Sequence, residues 1–212
     1  PLWSRGLGDV YKRQIIKMID WAPFAMTWGM KPSDLTDTEP GIELIDDALN
    51  MLNFLTEDFN QTSSMFSKKP QLPLEINAAF SINPCEKTGN DVEVFRNNES
   101  TTFNFLRQPM QKTRGNNYCL SDFLHKRDWL GCFSVWVTGI DERAATLAAA
   151  GDDYRSIMIQ ALGDRLAEAT TEYLHFLVRK EYWGYETNNL TIDEMIAEDY
   201  HGIRPAPGYP AC

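Results

Sequence analysis

Residues 74–96 read LEINAAFSINPCEKTGNDVEVFR. Ile76, Ala78, Phe80 and Ile82 alternate along the first half and so share one face of a strand. EKTGND (86–91) reads as a turn punctuated by Gly89-Asn90. DVEVFR (91–96) returns as a second strand, and Thr102 to Gln108 (TFNFLRQ) reads as a third. WLGCFSVWVTGI (129–140) is a fourth, with Phe133, Val135 and Val137 facing one way and Ser134, Trp136 and Thr138 the other. The short connections between the first three predict an antiparallel meander.

Helical patterns lie on both sides. IIKMIDWAPF (15–24) opens with a short apolar segment stopped by Pro23. Residues 37–59 carry Ile45, Leu49, Leu52, Leu55 and Phe59 at helical spacing, with Pro40 suited to a first turn. Asp141 is placed to cap residues 142–150, and Gly151 to stop them. A long helix starts at Asp152 or Asp153 and runs to about Trp183, with Leu162, Leu166, Ala169, Tyr173 and Leu177 as its apolar stripe. Thr191 and Glu194 fit a capping box. Strands flanked by helices predict an α+β fold.

Pro1 to Gln14 stands apart. It has no apolar period, and Asp9 to Gln14 (DVYKRQ) resembles a translated sequencing adapter, so residues 1–14 are expected to be foreign and to pack against nothing. Removing that stretch's net +2 (Arg5, Lys12 and Arg13 against Asp9) from the chain's −10 leaves −12. An acidic chain with no Lys/Arg stripe is not built to hold a phosphate backbone, so nucleic acid is excluded as a partner. No apolar run is long enough to span a bilayer, so no membrane partner is expected. Cys85, Cys119, Cys132 and Cys212 form no CxxC pair and read as reduced thiols of a cytoplasmic protein.

Candidate chemistry is sparse. His125, His175 and His201 are scattered without metal-ligand spacing. Cys119 and His125 are the one conceivable nucleophile pair, against a plain packed thiol. At 100° per residue Glu168, Glu172, His175 and Arg179 gather away from the leucine stripe, either as a solvated charged face or as the lining of a cleft. Asp20 sits among apolar residues before Trp21 and Pro23, as a cap or a ligand-facing carboxylate. Arg204 has fewer bland explanations. It lies in HGIRPAPGYPAC (201–212), whose prolines stiffen Ile203 to Pro210 into an extended strap. A guanidinium held still is a planar fork for a carboxylate. Gly208 permits close backbone approach, and Tyr209 offers a flat face.

RLAEATTEYLHFLVRKEYWGY (165–185), GIRPAPGYPAC (202–212), IDWAPFAMTW (19–28), NDVEVFR (90–96), FLRQPMQKTRGNNYCLSDF (105–123) and DDYRSIMIQALGDRLAEA (152–169) occur in an order that resembles the C-terminal activation domain of cobalamin-dependent methionine synthase. The resemblance spans 15–212. It implies a bent antiparallel sheet flanked by helices. It also implies an S-adenosylmethionine site serving reductive methylation of cob(II)alamin in a methyltransferase. By position, Arg204 would pair with the methionyl carboxylate, and Gly208 and Tyr209 complete its Arg-x-x-x-Gly-Tyr motif. Asp20 and Glu168 would face the ammonium or sulfonium, and Ala206 would offer backbone contacts to the adenosine. The implied partners are the cobalamin-binding domain of the same enzyme and flavodoxin or a related reductase. The cobalamin site and the parent enzyme's zinc would lie in domains outside this chain. The segment from Gly29 to Leu72 departs from the family pattern. The family also continues past the final GYPAC, so the site is expected to be incomplete and the fragment alone inactive. Competing readings are a docking module that does not bind the ligand, and a hydrolase built on Cys119 and His125.

Overall fold

The computed structural model describes residues 14–55, 74–110 and 114–204, and the backbone of 3–6 and 56–57. The chain divides into two compact units. The helical unit comprises Ser4–Ala78 and Val135–His201, and the sheet unit Pro1–Trp3, Ala79–Ser134 and Gly202–Cys212.

In the helical unit, α1 (Trp21–Thr27) is capped by Asp20, whose Oδ1 accepts from the Ala22 N–H at 2.9 Å. Pro23 does not stop a segment here. It lies inside the first turn of α1, where its missing N–H would have had no helical partner anyway. The short α2 (Asp34–Asp37) leads into α3 (Glu39–Glu57). The buried face of α3 is Leu44, Ala48, Leu52 and Leu55: Leu52 and Leu55 belong to the expected stripe, but Ile45 is half-buried and Leu49 exposed, while Phe59 lies outside the described residues. Gly41 gives the reason. A Cβ at this buried position would sit 1.9 Å from the Asp34 carbonyl oxygen, so α3 turns its smallest residue towards α2, and Leu44 and Ala48 follow on that face. Gly41→Ala is accordingly expected to force a backbone shift and to lower unfolding stability by about 1–3 kcal/mol. Chemical denaturation checks this, and an unchanged midpoint would contradict the close approach.

The centre of this unit is the pair α4 (Ile140–Ala149) and α5 (Asp153–Leu177). Asp141 does not cap α4. The helix begins one residue earlier behind Gly139, whose φ of 85° suits glycine, and Asp141 lies in the first turn, where its charge suits the helix dipole. Asp152 caps α5 by accepting from the Arg155 N–H at 3.1 Å. Leu162, Leu166, Ala169, Tyr173 and Leu177 are all buried, as the stripe requires. The core joins them to Phe24, Leu52, Ile76 and Ala144. Gln14 is exposed but tied to this helix: the Tyr173 hydroxyl donates to its Oε1 at 2.5 Å. Trp3–Gly6 form strand β1, while Leu7 and Tyr11 lie outside the described residues.

Among the described residues the sheet has five strands, in the order β1-β2-β3-β4 with β5 also paired to β2. β2 (Glu75–Thr88) and β3 (Asp91–Arg96) are antiparallel, with Thr88 opposite Asp91 across the Gly89-Asn90 turn. β3 and β4 are also antiparallel, with Arg96 opposite Glu99. β4 is Glu99–Asn104, not Thr102–Gln108. Asn97 takes φ 54°, which asparagine tolerates, so the chain reverses within two residues and pairs at once. Phe105 then leaves the ladder to pack with Cys85, Val92, Val94 and Cys119 in a small second core. In β5 (Arg127–Thr138), Val135 and Val137 are half-buried but Phe133 is 48% exposed. The alternation changes phase at Ser134, where β5 passes from the sheet unit to the helical one.

Candidate functional site

Arg204 is half-buried and ends the described part of the chain; Ala206, Gly208 and Tyr209 lie outside it. The approach to Arg204 is built from short-range features. Thr191 and Glu194 form the expected capping box of α6 (Ile192–Ile196), with the Thr191 N–H donating to Glu194 Oε2 at 2.7 Å. Met195 anchors α6 in the core. Glu198 takes φ 58° and Gly202 φ 102°, so the chain turns twice before Ile203.

Between those turns lies Tyr200, part of a cluster not legible in the sequence. After Leu177 the long helix widens into a π-helical turn, Val178–Tyr182. Arg179 is 0% exposed there. Its Nε donates to Glu186 Oε2 at 2.7 Å, and its Nη1 donates to His175 Nδ1 at 2.8 Å. The Tyr200 ring lies under the guanidinium, 3.9 Å from Cζ to ring centroid, and edge-on to the His175 ring at 4.9 Å. Of the two readings of this face, the solvated one therefore does not hold at its C-terminal end: Arg179 is buried and His175 partly so. Burial, with the Arg179 charge adding to it and Glu186 opposing, pulls the His175 pKa down to about 4. The imidazole thus stays neutral at physiological pH and can accept from Arg179 at Nδ1. Glu186 and Tyr200 carried no sequence signal, since neither sits in a periodic stretch. The one clue was an arginine one turn beyond a histidine at the end of an apolar helix.

Glu168 is on the solvated part of the same helix, with its side chain 49% exposed and paired to Arg165 one turn earlier. Asp20, half-buried, is committed to the α1 cap but keeps a second carboxylate oxygen. Cys119 is 1% exposed, its Sγ accepting from the Ser121 hydroxyl at 3.3 Å, whereas His125 is exposed on the surface. A thiol so enclosed offers no access to a substrate, and the hydrolase reading loses its nucleophile. Among the described residues no three His, Cys, Asp or Glu side chains gather as metal ligands. No described helix is long and apolar enough to cross a membrane.

Residues 12–212 match the family described as vitamin B12 dependent methionine synthase, activation domain. The chain belongs to this family. It is also similar, at 38% identity and a TM-score of 0.80 over all of its length, to a solved structure described as the MetH reactivation domain bound to AdoHcy. The chain spans 66% of the length of that protein. The activation-domain family thus accounts for both the order of the sequence blocks and the α+β fold.

Proposed function

We propose that this activation domain binds S-adenosylmethionine and presents it for reductive reactivation of a cobalamin-dependent methionine synthase. The observation that carries the reading is the 38% identity, over the whole chain, to a reactivation domain whose structure holds AdoHcy, the thioether left when S-adenosylmethionine gives up its methyl group. The charges of this chain suit such a ligand. Arg204 forks the methionyl carboxylate, Asp20 and Glu168 face the ammonium and sulfonium, Ala206 meets the adenosine through its backbone, and Gly208 with Tyr209 completes the motif. A sulfonium between carboxylates is stabilised by Coulomb attraction, which strengthens as water is excluded. Cobalamin, bound outside this chain, supplies the cobalt that receives the methyl group once an electron has been delivered.

The partners in this reading are the cobalamin-binding domain of the same enzyme and flavodoxin or a related reductase. The place is the cytoplasm, in keeping with free thiols at Cys85, Cys119 and Cys132. This domain by itself has no methyltransferase activity, and the zinc of the parent enzyme belongs elsewhere. Calorimetric titration of the full-length protein with S-adenosylmethionine tests the reading: saturable binding supports it, and none would leave a docking module that does not use the ligand. Asp20 is separable within the same experiment. Asp20→Ala loses the cap and about 1 kcal/mol of stability. Asp20→Asn keeps a capping oxygen, so its stability stays near wild type while ligand binding weakens. Wild-type affinity in Asp20→Asn would make Asp20 a cap only.

A further inference from the structure

Between Met195 and Arg204, among the described residues, one side chain has a firm hold. Ala197, Glu198, Asp199, His201, Gly202 and Ile203 are exposed, and Ile196 is half-buried. Tyr200 alone in this stretch brings its ring against a fixed partner, the Arg179 guanidinium, itself held by Glu186 and His175. Three residues separate Tyr200 from Arg204, so the arginine's Cα lies within about 14 Å of the anchor however the chain runs. Gly202, at φ 102°, sets the direction of that link in a conformation few other residues adopt.

The cluster is a poor device for stability alone. Arg179 Nη2 and the Tyr200 hydroxyl are both buried without a hydrogen-bond partner among the described residues. Leaving buried donors unpaired is costly, and a buried ion pair is commonly no more stabilising than apolar residues of the same volume. What the arrangement provides is a defined position: a ring clamped on a charge, where the charge is itself clamped by a carboxylate and an imidazole.

We propose that Tyr200 is a positioning residue for the ligand-binding strap: its grip on Arg179 fixes where Ile203 and Arg204 begin, and so where the guanidinium meets the ligand's carboxylate. The proposal rests on the reading that Arg204 holds S-adenosylmethionine. Four variants of the full-length protein test it by calorimetric titration with S-adenosylmethionine, each checked for thermal unfolding. Tyr200→Phe keeps the ring and binds within about twofold of wild type, whereas Tyr200→Leu loses the cation contact and binds about tenfold more weakly. In an Arg204→Ala background, Tyr200→Leu brings no further loss, because its effect passes through Arg204. A merely structural role would weaken binding equally in both backgrounds, and that result would overturn the proposal. So would wild-type affinity in Tyr200→Leu, or a loss in Tyr200→Phe as large as in Tyr200→Leu. Should Tyr200→Leu fail to fold, Gly202→Ala disturbs only the link; it is expected to show the same Arg204-dependent loss, and unchanged binding there would sink the idea. If Arg204→Ala itself binds like wild type, the ligand reading falls and this inference with it. If Arg204→Ala is weak but Tyr200→Leu is not, this inference alone falls.

Discussion

Arg179→Ala is expected to cost the domain about 3–5 kcal/mol of unfolding stability, among the largest effects of any single substitution outside the apolar core. The side chain is fully buried and pairs with Glu186, itself 8% exposed. Removing the guanidinium strands a buried carboxylate, empties the volume beneath the Tyr200 ring and takes the donor from His175. At about 2–4 °C per kcal/mol for a chain of this size, the midpoint should fall by roughly 6–20 °C. Replacing Arg179 and Glu186 together by apolar residues of similar volume should recover much of the loss, since no charge is then left alone. Thermal and chemical denaturation of the single and double variants checks both statements. A loss below about 1 kcal/mol in Arg179→Ala would show a solvent-exposed pair instead, since exposed ion pairs contribute that little.

On the proposed reading, Arg204→Ala is expected to act on binding rather than on folding. A charge-assisted, two-pronged contact to a carboxylate is worth roughly 1.5–3 kcal/mol, which is about ten- to a hundredfold in affinity. S-adenosylmethionine should therefore bind the Ala variant more weakly by that factor, with the unfolding midpoint near wild type because Arg204 is only half-buried. Arg204→Lys should recover part of the loss, keeping the charge and giving up the fork. Calorimetry on the three proteins distinguishes a gripping arginine from a strap that only connects.

The contrast between these two residues shows what was legible in the sequence. Arg204 stood out as a candidate because prolines leave little local reason for a charge and because its spacing to Gly208 and Tyr209 matches a motif; its role is the one proposed above. Arg179 did not, because its partners Glu186 and Tyr200 lie across a π-helical turn and a loop, where no period carries information. The stripe of α5 was readable since all five residues repeat on one face of a regular helix. The face of α3 was read in part: Leu52 and Leu55 are buried as expected, but Ile45 and Leu49 are not, because a glycine, invisible to a count of apolar side chains, decides which side approaches α2. The third strand was displaced because Asn97-Asn98 lacks the glycine that usually marks a two-residue hairpin, although asparagine accepts the same φ. Asp20 carried two readings, and its capping bond accounts for one carboxylate oxygen, leaving the charge itself to be tested.

On the proposed reading, this domain serves reactivation through S-adenosylmethionine. The most direct measurement compares two rates in full-length enzyme carrying Arg204→Ala: turnover from a primed, methylated start, and recovery of enzyme whose cobalt has been oxidised, at S-adenosylmethionine below saturation. Turnover from folate should match wild type, since on the proposed reading that cycle does not call on this site. Recovery should fall by about ten- to a hundredfold, in step with the weakened affinity. Recovery at the wild-type rate under those conditions would contradict the account.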